Sequence, residues 1–289
     1  MRVIDVSDLT FDARFRALSY DFRVCSNIPG ARQVLSRLLG SFRSRSNGHG
    51  ARPTYALMDR GEGSERRYVL HLDETTVHEV VSAGSMLDWL VADVSRRAID
   101  TTDRFLTVHA GAVSMHGVAA VLPAPPDHGK TTLTAGLTRA GFSFLSDEVA
   151  AIDAETGLVH PFPRPVLIDP PSMEVLSGLS EQLPRLYETF RLRRYHVAPD
   201  DLRSGALGEA CPIGFVVAPA YRDGADTRLE PMTRAETLMV LAENSFNLDR
   251  FGGRGFDVLA RVAGGCRGYR LAIGDLTSAI GAVSDLLRT

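Results

Sequence analysis

The chain carries 31 arginines and a single lysine, Lys130. That lysine lies in Ala124-Pro125-Pro126-Asp127-His128-Gly129-Lys130-Thr131-Thr132, directly after the apolar run Val118-Ala119-Ala120-Val121-Leu122. A compact ammonium on a flexible stem can follow the oxygens of a polyphosphate, where a broad planar guanidinium would collide with the surrounding loop. Lysine kept only between a strand-like run and a helix-like one therefore points to a phosphate-gripping loop. In the general pattern GxxxxGK[ST], backbone N–H groups surround the β-phosphate, the lysine bridges phosphates and the hydroxyl residue faces Mg²⁺. Lys130 and Thr131 fill the last two places, Gly129 permits close backbone approach, and His128 and Thr132 flank them as further candidate nucleotide contacts. A helix opening at Lys130 would add the partial positive charge of its N-terminus. The loop also departs from the pattern. Ala124 replaces the first glycine, Pro125 and Pro126 have no N–H to donate, and Asp127 brings a carboxylate toward the expected phosphates, so a weakened nucleotide affinity is expected.

Beyond the helix comes a second constellation, Ser146-Asp147-Glu148-Val149, at the end of the next strand candidate. Adjacent acids are common in exposed turns. Beside a phosphate loop they can divide labour, one taking the proton of an attacking hydroxyl while the other holds Mg²⁺.

The elements that must position these groups follow from periodicity. From about Asp103 onward, Phe105 to Val113 and Val118 to Leu122 read as strands joined around Met115-His116-Gly117. A helix is expected from Lys130 to Ala140, stopped by Gly141, and then a short buried strand from Phe142 to Leu145. Strand, loop, helix, strand is the nucleotide-binding half of an α/β fold. Farther on, Ile213 to Val217 reads as a strand, and Thr233-Arg234-Ala235-Glu236 as a capping box. Gly268 to Ile273 reads as a strand, with a helix from Asp275 carrying Leu276, Ala279, Ile280, Val283, Leu286 and Leu287 on one face. Residues 1–103 differ in texture and read as a small α/β cap or partner-binding domain. They hold strand candidates Thr54 to Met58 and Arg67 to Leu72 about a turn at Gly61-Glu62-Gly63, an exposed Arg/Ser stretch from Ser41 to Gly48, and a helix capped by Ser85 and ending near Arg97 or Ala98.

Composition narrows the classes. With 289 residues, 44% of them hydrophobic, the chain can bury a full core, and a net charge of −3 gives no global drive toward nucleic acid or an anionic membrane. No apolar run approaches the roughly 20 residues of a membrane span. The three cysteines, Cys25, Cys211 and Cys266, form no ligand pattern and suggest free thiols in a reducing, cytoplasmic setting.

Taken together, Val108-His109-Ala110-Gly111-Ala112-Val113, the Lys130-Thr131-Thr132 loop, Leu145-Ser146-Asp147-Glu148-Val149 and Pro161-Phe162-Pro163-Arg164-Pro165 resemble the C-terminal catalytic domain of HPr kinase/phosphorylase. They resemble more closely its shorter HPr-kinase-related relatives, some of them found with ribosomal peptide clusters. The resemblance covers about residues 103 to 289. It implies an α/β architecture in which a P-loop kinase domain of the HPr kinase and phosphoenolpyruvate carboxykinase type, residues 104–289, follows the smaller N-terminal α/β domain. It also implies transfer of the ATP γ-phosphoryl group to a serine hydroxyl, with ATP and Mg²⁺ as cofactors. On the matching positions, Asp147 resembles the general base and Glu148 the second acid near the metal. His109 resembles a strand histidine beside the phosphates, and Arg164 an arginine that neutralises charge on the transferring group. The longer signature that accompanies phosphorylase activity has no clear copy here, so kinase activity alone is expected. The bifunctional relatives form hexamers, which makes a homo-oligomer an open expectation.

The acceptor class expected from this reading is a peptide or protein, with a small alcohol as an alternative and a non-catalytic nucleotide-sensing or peptide-binding module as another. Arg191-Leu192-Arg193-Arg194-Tyr195-His196 reads as either a basic clamp for an acidic acceptor or a solvated helix face. Asn244-Ser245-Phe246-Asn247 and Gly252-Gly253-Arg254-Gly255 resemble loops near the site, with no role assigned by sequence.

Overall fold

Two large sheets with different cores organise the protein. The computed structural model describes residues 9–43, 52–61, 63–183 and 195–288. The first sheet has five strands in sequence order, β1 (Phe11–Ala17), β2 (Tyr20–Ser26), β3 (Thr54–Arg60), β4 (Arg67–Leu72) and β5 (Thr75–Val80). Helix α1 (Ala31–Leu38) joins β2 to β3, which therefore run parallel, while every other neighbouring pair is antiparallel. The face of this sheet is lined by rings. Phe22 stacks on Phe15 and on Tyr20 at centroid distances of 5.5 Å and meets Tyr55 edge-on at 5.8 Å.

Helix α2 (Ala83–Thr101) closes this layer by laying Met86, Leu87, Leu90, Val94 and Ala98 on that apolar face. Its cap differs from the sequence expectation. Ser82 is the N-cap, its hydroxyl accepting from the backbone N–H of Ser85 at 3.1 Å, and the helix runs on to Thr101. Ser85 thus supplies the donating N–H rather than the cap, a shift of three residues that a hydroxyl at either position leaves open in sequence.

The second sheet has eight strands: β6 (Phe105–Met115), β7 (Val118–Pro123), β8 (Ser143–Ser146), β9 (Val149–Asp153), β10 (Val159–His160), β13 (Ile213–Tyr221), β14 (Arg228–Met232) and β15 (Arg267–Ile273). Its order is β10-β9-β6-β7-β13-β15-β14, with β8 also on β6. The sheet is mixed. β6 and β7 form an antiparallel hairpin whose two-residue turn, His116 and Gly117, has φ of 52° and 77°, the left-handed pair that matches strand twist. β7, β13 and β15 are parallel, and β14 adds an antiparallel edge.

Helix α3 (Lys130–Arg139) follows β7 and packs on this sheet. Its approach is so close at Gly111 of β6 that a Cβ there would stand 2.3 Å from the Thr134 hydroxyl, so a side chain at 111 would push the helix off the sheet. Beside α3 lie α4 (Pro170–Val175) and the pair β11 (Val166–Ile168) with β12 (Tyr195–Val197). Two short helices flank that pair, α5 (Leu179–Gln182) and α6 (Pro199–Leu202). Helices α7 (Arg234–Glu243) and α8 (Leu248–Gly265) cover the opposite face of the sheet, and α9 (Leu276–Arg288) lies on the same face as α3. The expected capping box at Thr233 and Glu236 is present at the start of α7.

Among the described residues no helix is long and apolar enough to cross a membrane. Of the Arg/Ser stretch, residues 44–48 lie outside the described residues, as does Glu62 of the expected turn. Residues 191–194 of the basic segment also lie outside them. Its last two residues belong to β12, where His196 is fully buried with Nε2 3.0 Å from the Asp88 carboxylate of α2, so His196 is a contact between the two layers and not part of a surface clamp.

Candidate functional site

The order of strands in the second sheet lays out the site. Strand β6 is eleven residues long, and the chain returns along one of its edges twice in succession, first as β8 opposite Ser114 to Ala112 and then as β9 opposite His109 to Phe105. Between these two pairings the ladder breaks for Asp147 and Glu148, with the Ala110 N–H donating to the Glu148 carbonyl at 3.0 Å. The acids come beside His109 because the break in the partner strand falls opposite Ala110 and Gly111, directly after it. Ser146 holds the break, its hydroxyl accepting from the backbone N–H groups of Glu148 and Val149 at 3.2 and 2.9 Å.

Arg164 reaches the same point from the loop after β10. Phe162 donates its N–H to the Leu145 carbonyl at 2.8 Å, which ties the proline-flanked loop to β8. The guanidinium then spans Asp147 with two hydrogen bonds of 3.1 and 3.2 Å and donates a third, 3.3 Å, to Glu148. Arg164 is 8% exposed and Asp147 is 0% exposed, so this is a buried ion pair. Burial pushes the Asp147 carboxyl up while the facing guanidinium pulls it down, and the net direction is upward. Glu148 is set differently. Burial alone would raise it, but the imidazole of His109, at 3.4 Å, and the guanidinium of Arg164 hold its carboxyl down at about 2. The acid presented to the cleft is Glu148, with Asp147 behind it as the partner that fixes Arg164.

The lysine loop stands next along the sheet, at the end of β7. Asp127 and Gly129 have φ of 63° and 82°, and Gly129 is the N-cap of α3 with no side chain satisfying the first-turn N–H groups. Those N–H groups are the donors an anion would use. Lys130 is 5% exposed and donates to the Ala124 carbonyl at 2.9 Å and the Pro125 carbonyl at 3.2 Å. Here the substituted loop does work that its sequence hides: residues without a useful N–H still offer carbonyls that hold the ammonium. Two of its three protons are used, which leaves one for a ligand oxygen. Burial pushes the Lys130 ammonium down, against Glu148 and Asp147, which pull it up.

A cleft of about 740 Å³ joins these groups, and its lining includes His109, Gly129, Lys130, Thr131, Thr132, Glu148 and Arg164. His128 is half-buried, with Nδ1 2.8 Å from the Pro126 carbonyl, and it is not part of this wall. Thr132 donates to the Ser172 hydroxyl of α4 at 2.9 Å, so its side chain braces the cleft. Among the described residues no group of three or more His, Cys, Asp or Glu side chains converges as a metal cage. Thr131 and Glu148 both line the cleft and carry oxygens, the ligand type of Mg²⁺, which takes one or two from a protein and the rest from phosphate and water.

Of two further contributors, sequence reasoning placed one near the site without a role and missed the other. The segment Asn244-Ser245-Phe246-Asn247 closes the other edge of β6. The Asn244 carbonyl accepts from the His109 N–H at 2.7 Å, the buried Asn247 side chain pairs with Thr107 N–H and Phe105 carbonyl at 2.9 and 3.0 Å, and the Phe246 ring lies 5.3 Å from that of His109. The other is Tyr221, at the end of β13, whose Cβ would lie 3.4 Å from a Cβ at Gly129. A buried asparagine signals itself in sequence only once its partners are known. By contrast, Gly252 to Gly255 lies within α8, where Gly252 has a non-helical φ of 53°, and does not line the cleft.

No protein-family model matches the chain, and no curated protein matches it. Among solved structures the chain is similar to the HPr(Ser) kinase/phosphatase from Coxiella burnetii over 63% of this chain and 93% of that one, at 10% identity and a TM-score of 0.33.

Proposed function

We propose that the chain is an ATP- and Mg²⁺-dependent phosphotransferase that moves the terminal phosphoryl group of the nucleotide to a hydroxyl, with a serine in a peptide or protein as the acceptor class. The observation that carries this reading is the placement of Lys130. The chain's one ammonium is held by two loop carbonyls at the uncapped start of α3, in the same cleft as Glu148, His109 and Arg164. Phosphoryl transfer requires little covalent help from a protein. It requires positioned donors and positive charge where negative charge spreads over the moving group, and Lys130, the α3 N–H groups and Arg164 supply both. Mg²⁺, held by Thr131 and Glu148, would neutralise charge on the phosphate oxygens.

In this reading the acceptor hydroxyl approaches the His109–Glu148 pair from the cleft, and the pair takes up its proton, the imidazole as acceptor and the carboxylate as partner of the imidazolium that forms. A carboxyl held near 2 is a weak base but a strong anchor for such a cation. Asp147, expected from the sequence to be the base, acts here through Arg164, whose position it sets. The burial of Asp147 also favours a second reading, a module that binds nucleotide without transferring phosphate.

Purified protein with Mg²⁺ and γ-labelled ATP, offered serine-containing peptides, tests both. Transfer or slow hydrolysis is expected in the parent, falling by roughly 10²–10³-fold in Lys130→Ala, as for loss of a charge-stabilising donor. Glu148→Gln is expected to lose as much, and Asp147→Asn to keep measurable turnover. Thermal stabilisation by ATP with no turnover under any condition establishes the binding module instead. Absence of both ends the nucleotide reading.

A further inference from the structure

The cleft is chemically divided, and the division follows the strand order. In the order β9-β6-β7-β13-β15, His109, Glu148 and Arg164 gather at β9 and β6, the lysine loop stands at β7, and Tyr221 and Ile273 end β13 and β15 on the far side. The far end is apolar. Tyr221 and Ile273 are joined there by Leu276, at the start of α9, and Val175, on α4, also lines the cleft. Two of these side chains are unusually open for their type, Tyr221 at 51% and Val175 at 56%. Leu276 cannot retreat toward α3, because it already packs against Gly136, where a Cβ would meet its methyl at 3.0 Å. The result is one cavity with His109, Arg164 and Glu148 at one end, the anion-binding N–H groups of α3 in the middle and an apolar wall at the other, with the carboxylates of Asp127 and Asp169 also on its lining.

We infer that the apolar end is the seat of the nucleotide base, which stacks on the Tyr221 ring while the phosphates run along the start of α3 toward Glu148. The inference rests on the phosphotransferase reading and deepens it by fixing the direction of the nucleotide. The occupant is indicated by continuity: a planar, weakly polar ring attached to a polyanion has the same succession of chemistries as the cavity, and Tyr221 adjoins Gly129, where the lysine loop ends and α3 begins. Aromatic stacking is tolerant of base identity and grows with ring area, so purine nucleotides should bind more tightly than pyrimidine ones.

The experiment compares ATP with inorganic tripolyphosphate, which offers the same charge and no base, by calorimetry or thermal shift in the presence of Mg²⁺. Tyr221→Ala is expected to weaken ATP by roughly tenfold, the scale of one lost base–aromatic stack, while leaving tripolyphosphate unchanged. Tyr221→Phe is expected to keep parental affinity for both. Tyr221 is half-exposed, and an unaltered melting temperature of the ligand-free variant shows that it folds. If ATP and tripolyphosphate weaken equally in Tyr221→Ala, or neither changes, the base does not stack there, although the phosphate site stands. If the parent binds neither ligand, the phosphotransferase reading falls and this inference falls with it.

Discussion

The two sheets use charge in opposite ways. In the first, the core is made of rings and aliphatic side chains, and arginines pair with aspartates at the surface: Arg16 with Asp21, and Arg23 with Asp12. In the second, the core is built largely of alanine, valine and leucine, and charged groups are taken out of water at the strand ends: Asp147, Arg164 and Lys130. Burying an ion costs several kcal/mol even when it is paired, and a chain that only needed a stable core could fill the same space with apolar side chains at no loss. The first sheet shows that this sequence can do that. Among the described residues Asp153 is also buried, held by Arg104 and two backbone N–H groups at the end of β9, but Asp147, Arg164 and Lys130 are buried together only at the cleft, which is where a site, rather than a scaffold, has use for fixed charge.

The largest expected effects test that contrast directly. Arg164→Ala would leave Asp147 buried without its partner, a loss of roughly 3–5 kcal/mol. Phe22→Ala, in the ring-lined core of the first sheet, should cost roughly the same for a different reason, a cavity among Phe15, Tyr20 and Tyr55. Denaturant melts would give similar deficits. The difference lies in pH. Without Arg164 the Asp147 carboxyl rises further, so its unfolded form, which ionises near its ordinary value, increasingly wins as pH climbs. The Arg164→Ala deficit should therefore shrink between pH 7 and pH 5, while that of Phe22→Ala should not. Equal pH dependence in the two variants would mean that Asp147 is not the buried charge described.

The contrast also explains what could be read from sequence. Lys130 announces itself because no other lysine competes, and the hairpin, α3 and the acids follow from local signals, His116-Gly117, Gly141 and the hydrophobic run before Ser146. What local signals cannot carry is the edge-sharing of β8 and β9 on β6, because pairing between residues 105 and 153 is a tertiary fact. That pairing decides which of two neighbouring acids faces the cleft. Sequence favours Asp147 by position; the break in the ladder turns Glu148 outward and leaves Asp147 to the guanidinium. The first strands were missed because β1 and β2 carry arginines and aspartates on alternate residues, where Arg14 lies opposite Arg23 and Arg16 opposite Asp21, which reads as a polar segment until one face is seen to be covered.

A smaller effect is expected from acid. Glu148 is held at about 2, below its unfolded value near 4.5, so the stability it lends is present above 4.5 and lost as pH falls toward 2. Melting temperatures taken from pH 5 down to pH 3 should fall less steeply in Glu148→Gln than in the parent. An unchanged slope would show that His109 and Arg164 do not hold that carboxylate ionised.

The smallest effect belongs to the surface of the first sheet. Arg16 makes two 2.8 Å hydrogen bonds to Asp21 with half its side chain exposed, a geometry as good as that of Arg164 on Asp147. Solvent screening and the entropy of a long side chain should nevertheless reduce its worth to under about 1 kcal/mol. Arg16→Ala is therefore expected to shift a urea midpoint slightly, with less effect at high salt. The pairs differ chiefly in burial, so a loss from Arg16→Ala as large as that from Arg164→Ala would remove burial as the reason the cleft is special.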